Sequence, residues 1–394
     1  MKKNHTMKKT HTIFITALFL LMTALWACGG SGSKAAAQVN TDTVTVAEPE
    51  PEPEPVVLPE ADPVLNASAR ILAGLPVGED EPGYAFTQTD AWKSHQAKLD
   101  KMWANSKTTL DKANAIRVND LDELTSKAET VFYSFSGPDF PFMATFFPAA
   151  ETYYMMALEP AGSPIAPADI TAKTCSKLEK AVGDLLRVSY FMTNSMANDL
   201  NNVEIDGAVP ILMVLIARMG YSISSVTFQD LTADGEWIDA TQQSPFARIQ
   251  YFREGEAQEH TLYYLSTNIA NAQFDPRFQA NIDKLDPKTT ASFIKSASYR
   301  LHHEHFSQMR NDLLNHSYMI IQDDTGVPYD ILLAQGWDVI LYGAYTDPVK
   351  IFDREYSYQK SLRDAYAKGE NIRPLGFQFG YNRDKCSLMV CVKK

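Results

Sequence analysis

Residues 246–266 read FARIQYFREGEAQEHTLYYLS. Phe246 to Phe252 alternates apolar and polar side chains, and Thr261 to Leu265 is β-branched and aromatic. Glu254-Gly255 lies between them, so the stretch predicts a β-hairpin. Upstream, Tyr221 to Phe228 alternates as a further strand. Before it, Val209 to Met219 is apolar except at Arg218, with Pro210 near its start and Gly220 just past its end. Pro inside the start and Gly beyond the end mark a helix. Its eleven residues fall short of the roughly 20 needed to span a bilayer, so it reads as a core helix.

The same reading extends to both ends. Helices are expected at Val64–Gly74, from Asp90 to about Ala115, at Leu121–Thr130 and at Lys177–Met192, where Leu178, Val182, Leu185, Val188 and Met192 share a face. Strands are expected at Val131–Phe135 and Thr152–Leu158. Beyond the hairpin come helical segments near 276–296 and 303–314, then a strand at Ser317–Gln322 and a turn at Asp323–Gly326. A strand at Trp337–Tyr345, a helix at Tyr356–Lys368, and strands at Leu375–Tyr381 and Ser387–Val392 follow. Helices precede strands in blocks, which points to an α+β fold: an N-terminal helical part (64–130) packed with a mostly antiparallel sheet (131–394), in a single large domain. Between Val131 and Thr152 the segment SGPDFPFMATFFP (136–148) has proline at 138, 141 and 148, so it reads as an ordered loop, either packed on the core or lining an aromatic cleft.

The chain has 394 residues and a net charge of −12. Four cysteines over this length exclude a disulfide-stapled miniprotein. The acid excess argues against a nucleic-acid partner, which calls for a basic surface. The charge is unevenly spread. Residues 1–27 carry Lys2, Lys3, Lys8 and Lys9 and no acid, whereas 28–63 set one lysine against seven acids. An uncharged apolar run, Ile13–Trp26, follows the basic start; it is shorter than a membrane span and has the form of a secretory signal. It ends Leu25-Trp26-Ala27-Cys28. This resembles the lipobox of bacterial lipoproteins, with Trp26 departing from the family's usual small or β-branched residue. The resemblance implies cleavage after Ala27 and acylation of Cys28, giving a membrane partner through a lipid anchor. Three acyl chains exceed the two-signal requirement for stable anchoring. The plain alternative is a secreted protein cut near Ala27. Gly29 differs from the Asp that retains many lipoproteins at the inner membrane, so the expected location is the cell envelope, facing periplasm or exterior, and the outer membrane in a Gram-negative cell.

Residues 28–63 read as a tether. Gly29-Gly30-Ser31-Gly32-Ser33 is flexible, and EPEPEPEP at 48–55 takes an extended polyproline form, a spacer or a proline-rich ligand. The folded body is expected over 64–394.

Chemistry is less legible. His302, His303 and His305 flank Glu304; on a helix His302 and His305 would share a face, with His316 close to whole turns further on. These three histidines are the candidate metal ligands, although the spacing matches neither HExxH nor HxxEH. Glu151 and Glu159, beside the Phe-rich segment, are candidate paired carboxylates for hydrolysis, with His302 and His305 as the other catalytic candidates. Asp199–Asp206 and Asp323–Asp324 are further carboxylate pairs; the second reads as turn chemistry. No GxSxG occurs, and GxGxxG and GxxxxGK[ST] are missing, so no cofactor is implied. Cys175, Cys386 and Cys391 leave both a disulfide and free buried thiols open.

FSGPDFPFMATFFP (135–148), QDDTGVPYD (322–330) and LYGAY (341–345) are similar to segments of an uncharacterised family of bacterial envelope or secreted proteins. The resemblance covers most of 120–394 and carries no activity or site residues with it. Two functions therefore compete: a lipid-anchored binding or structural module with an unidentified protein or glycan ligand, and a hydrolase of envelope polymers.

Overall fold

The computed structural model describes residues 57–188, 201–202, 204–241, 244–381 and 385–394. Its core is a ten-stranded sheet flanked on both faces by helices. In chain order the elements are α1 (Pro63–Leu72), α2 (Asp90–Ile116), β1 (Thr130–Tyr133), α3 (Phe140–Phe146), β2 (Thr152–Ala157), α4 (Ala172–Val188) and α5 (Val209–Arg218). Next come β3 (Ser222–Leu231), β4 (Trp237–Ala240), β5 (Phe246–Phe252), β6 (Glu259–Ser266), α6 (Pro276–Ile282), β7 (Thr290–Ile294) and α7 (Ser307–His316). The chain closes with β8 (Met319–Gln322), α8 (Tyr329–Ala334), β9 (Trp337–Gly343), α9 (Lys360–Lys368) and β10 (Ser387–Lys393).

The fold is α+β, as the blocks of helix and strand imply. Five of the nine ladders in this sheet are antiparallel: β10 with β8 and with β9, β3 with β4 and with β5, and β5 with β6. The hairpin at 246–266 forms with Phe246 opposite Leu265 and Phe252 opposite Glu259. The remaining four ladders are parallel and contiguous, giving β6-β2-β1-β7-β8 at the centre of the sheet. Taken in chain order, these five strands lie 3-2-1-4-5. The winding therefore reverses between β1 and β7.

Period-two alternation sends the two faces to separate cores. Val131, Tyr133, Tyr153, Met155 and Phe293 pack with α1 to α5, whereas Phe132, Tyr154, Met156, Ile294 and Ile320 pack with α6 to α9. The body begins just ahead of residue 64. The Asp62 carboxylate accepts from the Val64 and Leu65 N–H groups at 2.9 Å each and caps α1. The helix expected from Asp90 starts there, capped by Thr89 Oγ1. The far end of the expected 177–192 helix lies outside the described residues.

Four expectations are corrected. Residues 276–296 are not one helical segment: α6 stops at Ile282 and Thr290–Ile294 is a fully buried central strand. Such a strand has no polar face and does not alternate. The prolines of 136–148 do not exclude a helix, because Pro141 sits in the first turn of α3, where its missing N–H costs nothing. Leu375–Tyr381 forms no strand; only the preceding Arg373 bridges to Tyr342, and Pro374, Gly376 and Gly380 break the run. Finally, residues 300–306 form two separate 3₁₀ turns, Arg300–His302 and Glu304–Phe306, so α7 begins only at Ser307.

Candidate functional site at the carboxyl edge of the sheet

Open sheets wound in this order bind ligands outside the carboxyl ends of the parallel strands, where the winding reverses. Here that position lies beyond Tyr133 on β1 and Ile294 on β7, and ionisable groups are concentrated there. The Tyr133 hydroxyl donates to Asp139 Oδ2 at 3.0 Å. Lys295, one residue past β7, forms a buried ion pair with the same oxygen. Its Nζ stands 4.7 Å from the Phe142 ring centroid. Burial pushes the Asp139 carboxyl up, and the Lys295 charge pulls it partly back. Burial also raises the Tyr133 phenol, and Asp139 adds to it.

The loop after β7 is strained. Ser296, Ser298 and Tyr299 all lie in the left-handed region, with φ of 58°, 53° and 60°. Non-glycine residues hold that conformation only where their surroundings over-determine it. Here the restraints come from the end of β8. The Ser296 N–H donates to Asp323 Oδ2 at 2.9 Å, and the Thr325 N–H donates to Asp323 Oδ1 at 3.0 Å. The Tyr299 hydroxyl donates to Asp324 Oδ2 at 2.8 Å, and the Ser387 hydroxyl to Asp324 Oδ1 at 2.9 Å. Both aspartates are buried and both carboxyls are raised: Asp323 by burial and then by Asp324 beside it, Asp324 by burial. The expected Asp-Asp turn is present, but its carboxylates face inward and hold a neighbouring loop.

Residues 375–381 cover this edge. Phe379 packs on Phe142, Phe146 and Phe293 with ring centroids 5.8–6.3 Å apart. Gly380 has φ 79°, and a Cβ there would collide with Asp323 Oδ2. The Tyr381 hydroxyl donates to the Ser296 carbonyl at 3.0 Å and meets Ser298 Oγ at 2.6 Å. The reversal point itself is thus filled by the protein's own side chains. The open space lies one step along the edge, beyond β8 and β9, in a cleft of about 910 Å³. Asp347, Lys350, Asp353, Arg354, Glu355 and Lys385 line it, with Tyr358 and Tyr381. The Val349 N–H, also in its wall, donates to Tyr299 Oη at 2.8 Å. Tyr299 and Tyr381 therefore connect the cleft to the buried cluster.

The residues singled out from sequence are dispersed. Glu151 is exposed at the start of β2, and Glu159 is buried beyond its end. At about 3.3 Å per residue the length of β2 keeps them roughly 20 Å or more apart, beyond any catalytic carboxylate pairing. His302 turns inward, with Nδ1 3.1 Å from the Tyr356 carbonyl, and burial lowers its pKa to about 4. His305 is exposed and stacks on His303 at 4.4 Å. His316 ends α7 with Nε2 3.7 Å from Asp283 Oδ1. The expected shared face of His302 and His305 does not form, because each belongs to its own 3₁₀ turn. Among the described residues no three His, Cys, Asp or Glu side chains converge as a metal site. Cys175, Cys386 and Cys391 are buried and form no disulfide with one another. Cys28 and Asp199 lie outside the described residues.

Tyr133, Asp139, Lys295 and Tyr299 were not singled out from sequence. The available signal was a polar residue standing immediately after an apolar strand, as Lys295 does in SFIKSASY (292–299). Comparisons with protein-family models, curated proteins and solved structures return no match. Among the described residues no helix is long and apolar enough to cross a membrane.

Proposed function

We propose that this chain is a lipid-anchored protein of the bacterial envelope that works as a binding module and takes its ligand in the cleft at the carboxyl edge of the sheet. The observation that carries this reading is the cleft itself: about 910 Å³, within the usual size of ligand sites and at the edge that serves ligands in sheets so wound. Its inner wall is preorganised, because Val349 and Tyr381 are held by hydrogen bonds to Tyr299 and Ser296 of the loop behind them. Hydrolysis of envelope polymers draws less support, since Glu151 and Glu159 stand at opposite ends of β2. The anchor is supported by the lipobox at Leu25–Cys28.

Two measurements test the two halves of the reading. The full chain in detergent micelles, screened by thermal unfolding against soluble envelope extract, is expected to gain about 2.7 kcal/mol at a hundredfold excess of ligand over Kd. Thr346 lines the cleft and is exposed, so Thr346→Trp should abolish that gain; an equal gain in the variant places the ligand elsewhere. For the anchor, Cys28→Ser should move the protein from the detergent phase to the aqueous phase, and retention in detergent would refute lipidation.

A further inference from the structure

The charges of the cleft are balanced and unspent. Lys350, Arg354 and Lys385 oppose Asp347, Asp353 and Glu355. Elsewhere on the described surface some charges are paired and others, such as Lys93, Lys101 and Asp234, are not. Lys98 pairs with Glu179 at 2.8 Å, Arg277 with both Asp230 and Asp275 at 3.0 and 2.8 Å, and Lys394 with Asp338 at 3.0 Å. Among the described residues, none of the six cleft charges is in an ion pair. The backbone that carries two of them is nonetheless held. The buried Ser357 hydroxyl donates to the Arg354 carbonyl at 2.7 Å and accepts from the Arg354 N–H at 2.9 Å, closing the turn that carries Arg354 and Glu355. His302 holds the same turn through the Tyr356 carbonyl.

Three charges of each sign give no net preference for a cation or an anion. They do favour a ligand that is neutral overall and carries a full charge of each sign, since such a ligand can meet both sets at once. An apolar lipid chain would leave six charges to desolvate without partners. We infer that the cleft takes a zwitterionic ligand, a short peptide with free amino and carboxyl ends. This inference rests on the cleft being a ligand site, as proposed above, and narrows it to one chemical class.

The experiment uses the full chain in detergent micelles and three probes followed by titration calorimetry: trialanine with free ends, the same peptide acetylated and amidated, and maltotriose. Free trialanine is expected to bind, more weakly at high salt, and blocking its ends should weaken binding at least about tenfold. Replacing Lys350 and Arg354 together by Ala should weaken it about three- to tenfold. Both are exposed, and circular dichroism checks that the fold persists. Equal binding of the blocked peptide overturns the inference, as does failure of all three probes. Binding of maltotriose alone overturns the peptide class and leaves the ligand-binding reading standing. That broader reading falls only if the extract screen fails, or if its gain survives Thr346→Trp.

Discussion

Replacing Lys295 by Met should destabilise the body by about 3–5 kcal/mol at neutral pH, the usual cost of removing one partner from a buried ion pair. Methionine keeps most of the lysine stem but not the Nζ that stands over Phe142, so packing is largely conserved and the loss is electrostatic. What remains is the Asp139 carboxylate, buried and with the Tyr133 hydroxyl 3.0 Å from Oδ2. An uncompensated buried carboxylate is relieved only by taking up a proton, so the deficit should shrink as pH falls. Adding Asp139→Asn removes the orphaned charge and should recover most of the lost stability. Urea denaturation of the unlipidated Cys28→Ser chain measures all three forms. A Lys295→Met deficit below about 1 kcal/mol would show that Asp139 is solvated by other means. The result matters for function because Lys295 opens the strained loop that carries Tyr299, whose hydroxyl holds the Val349 N–H in the wall of the cleft. A loosened loop should cost ligand affinity along with stability.

How much of this was legible follows from which residues sit where. Hairpin 246–266 and the helix at Val209 could be read directly, because one face of each strand pair is polar and the helix carries its own punctuation at Pro210 and Gly220. Of the parallel centre, the strand at Thr290–Ile294 could not, since it is buried on both faces and offers no period, whereas the one at Ser317–Gln322 could; the parallel pairing of these strands is carried by no local pattern. The site was hidden for a related reason. A pair such as Asp139 and Lys295, 156 positions apart, becomes a pair only once β1 and β7 lie side by side. No local spacing encodes that, whereas the His302–His305 spacing drew attention on a helix that does not form there. Asp323-Asp324 shows the intermediate case. The turn was evident from Asp, Thr and Gly; the inward aim of both carboxylates depends on Ser296, Tyr299 and Ser387, which arrive from two other strand ends.

That pair also predicts how stability responds to pH. The folded-state carboxyls of both are raised, Asp324 by burial and Asp323 to about 7 by burial first and then by the Asp324 charge. The unfolded chain gives up these protons near pH 4. Across the interval up to about 7 the folded pair holds more protons than the unfolded chain, so its contribution to stability falls as pH rises. Asp324→Asn should cancel much of this slope. The new amide can still accept from Ser387 and can donate to Tyr299 Oη, while Asp323 loses the charge beside it. Stability of the variant relative to the parent should therefore improve by about 1–3 kcal/mol between about pH 5 and about pH 8, at roughly 1.4 kcal/mol per unit of pKa relieved. Half-buried His302 and buried His260 push the opposite way. Their lowered pKa values make stability fall as pH drops below the ordinary histidine range. Both are common to the two chains and cancel in the difference, which is why the difference, measured by urea denaturation at the two pH values, is the informative quantity. A difference that stays flat with pH would mean that the Asp324 carboxyl is not raised on folding and does not shift Asp323, and that the loops after β7 and β8 are joined by hydrogen bonds alone.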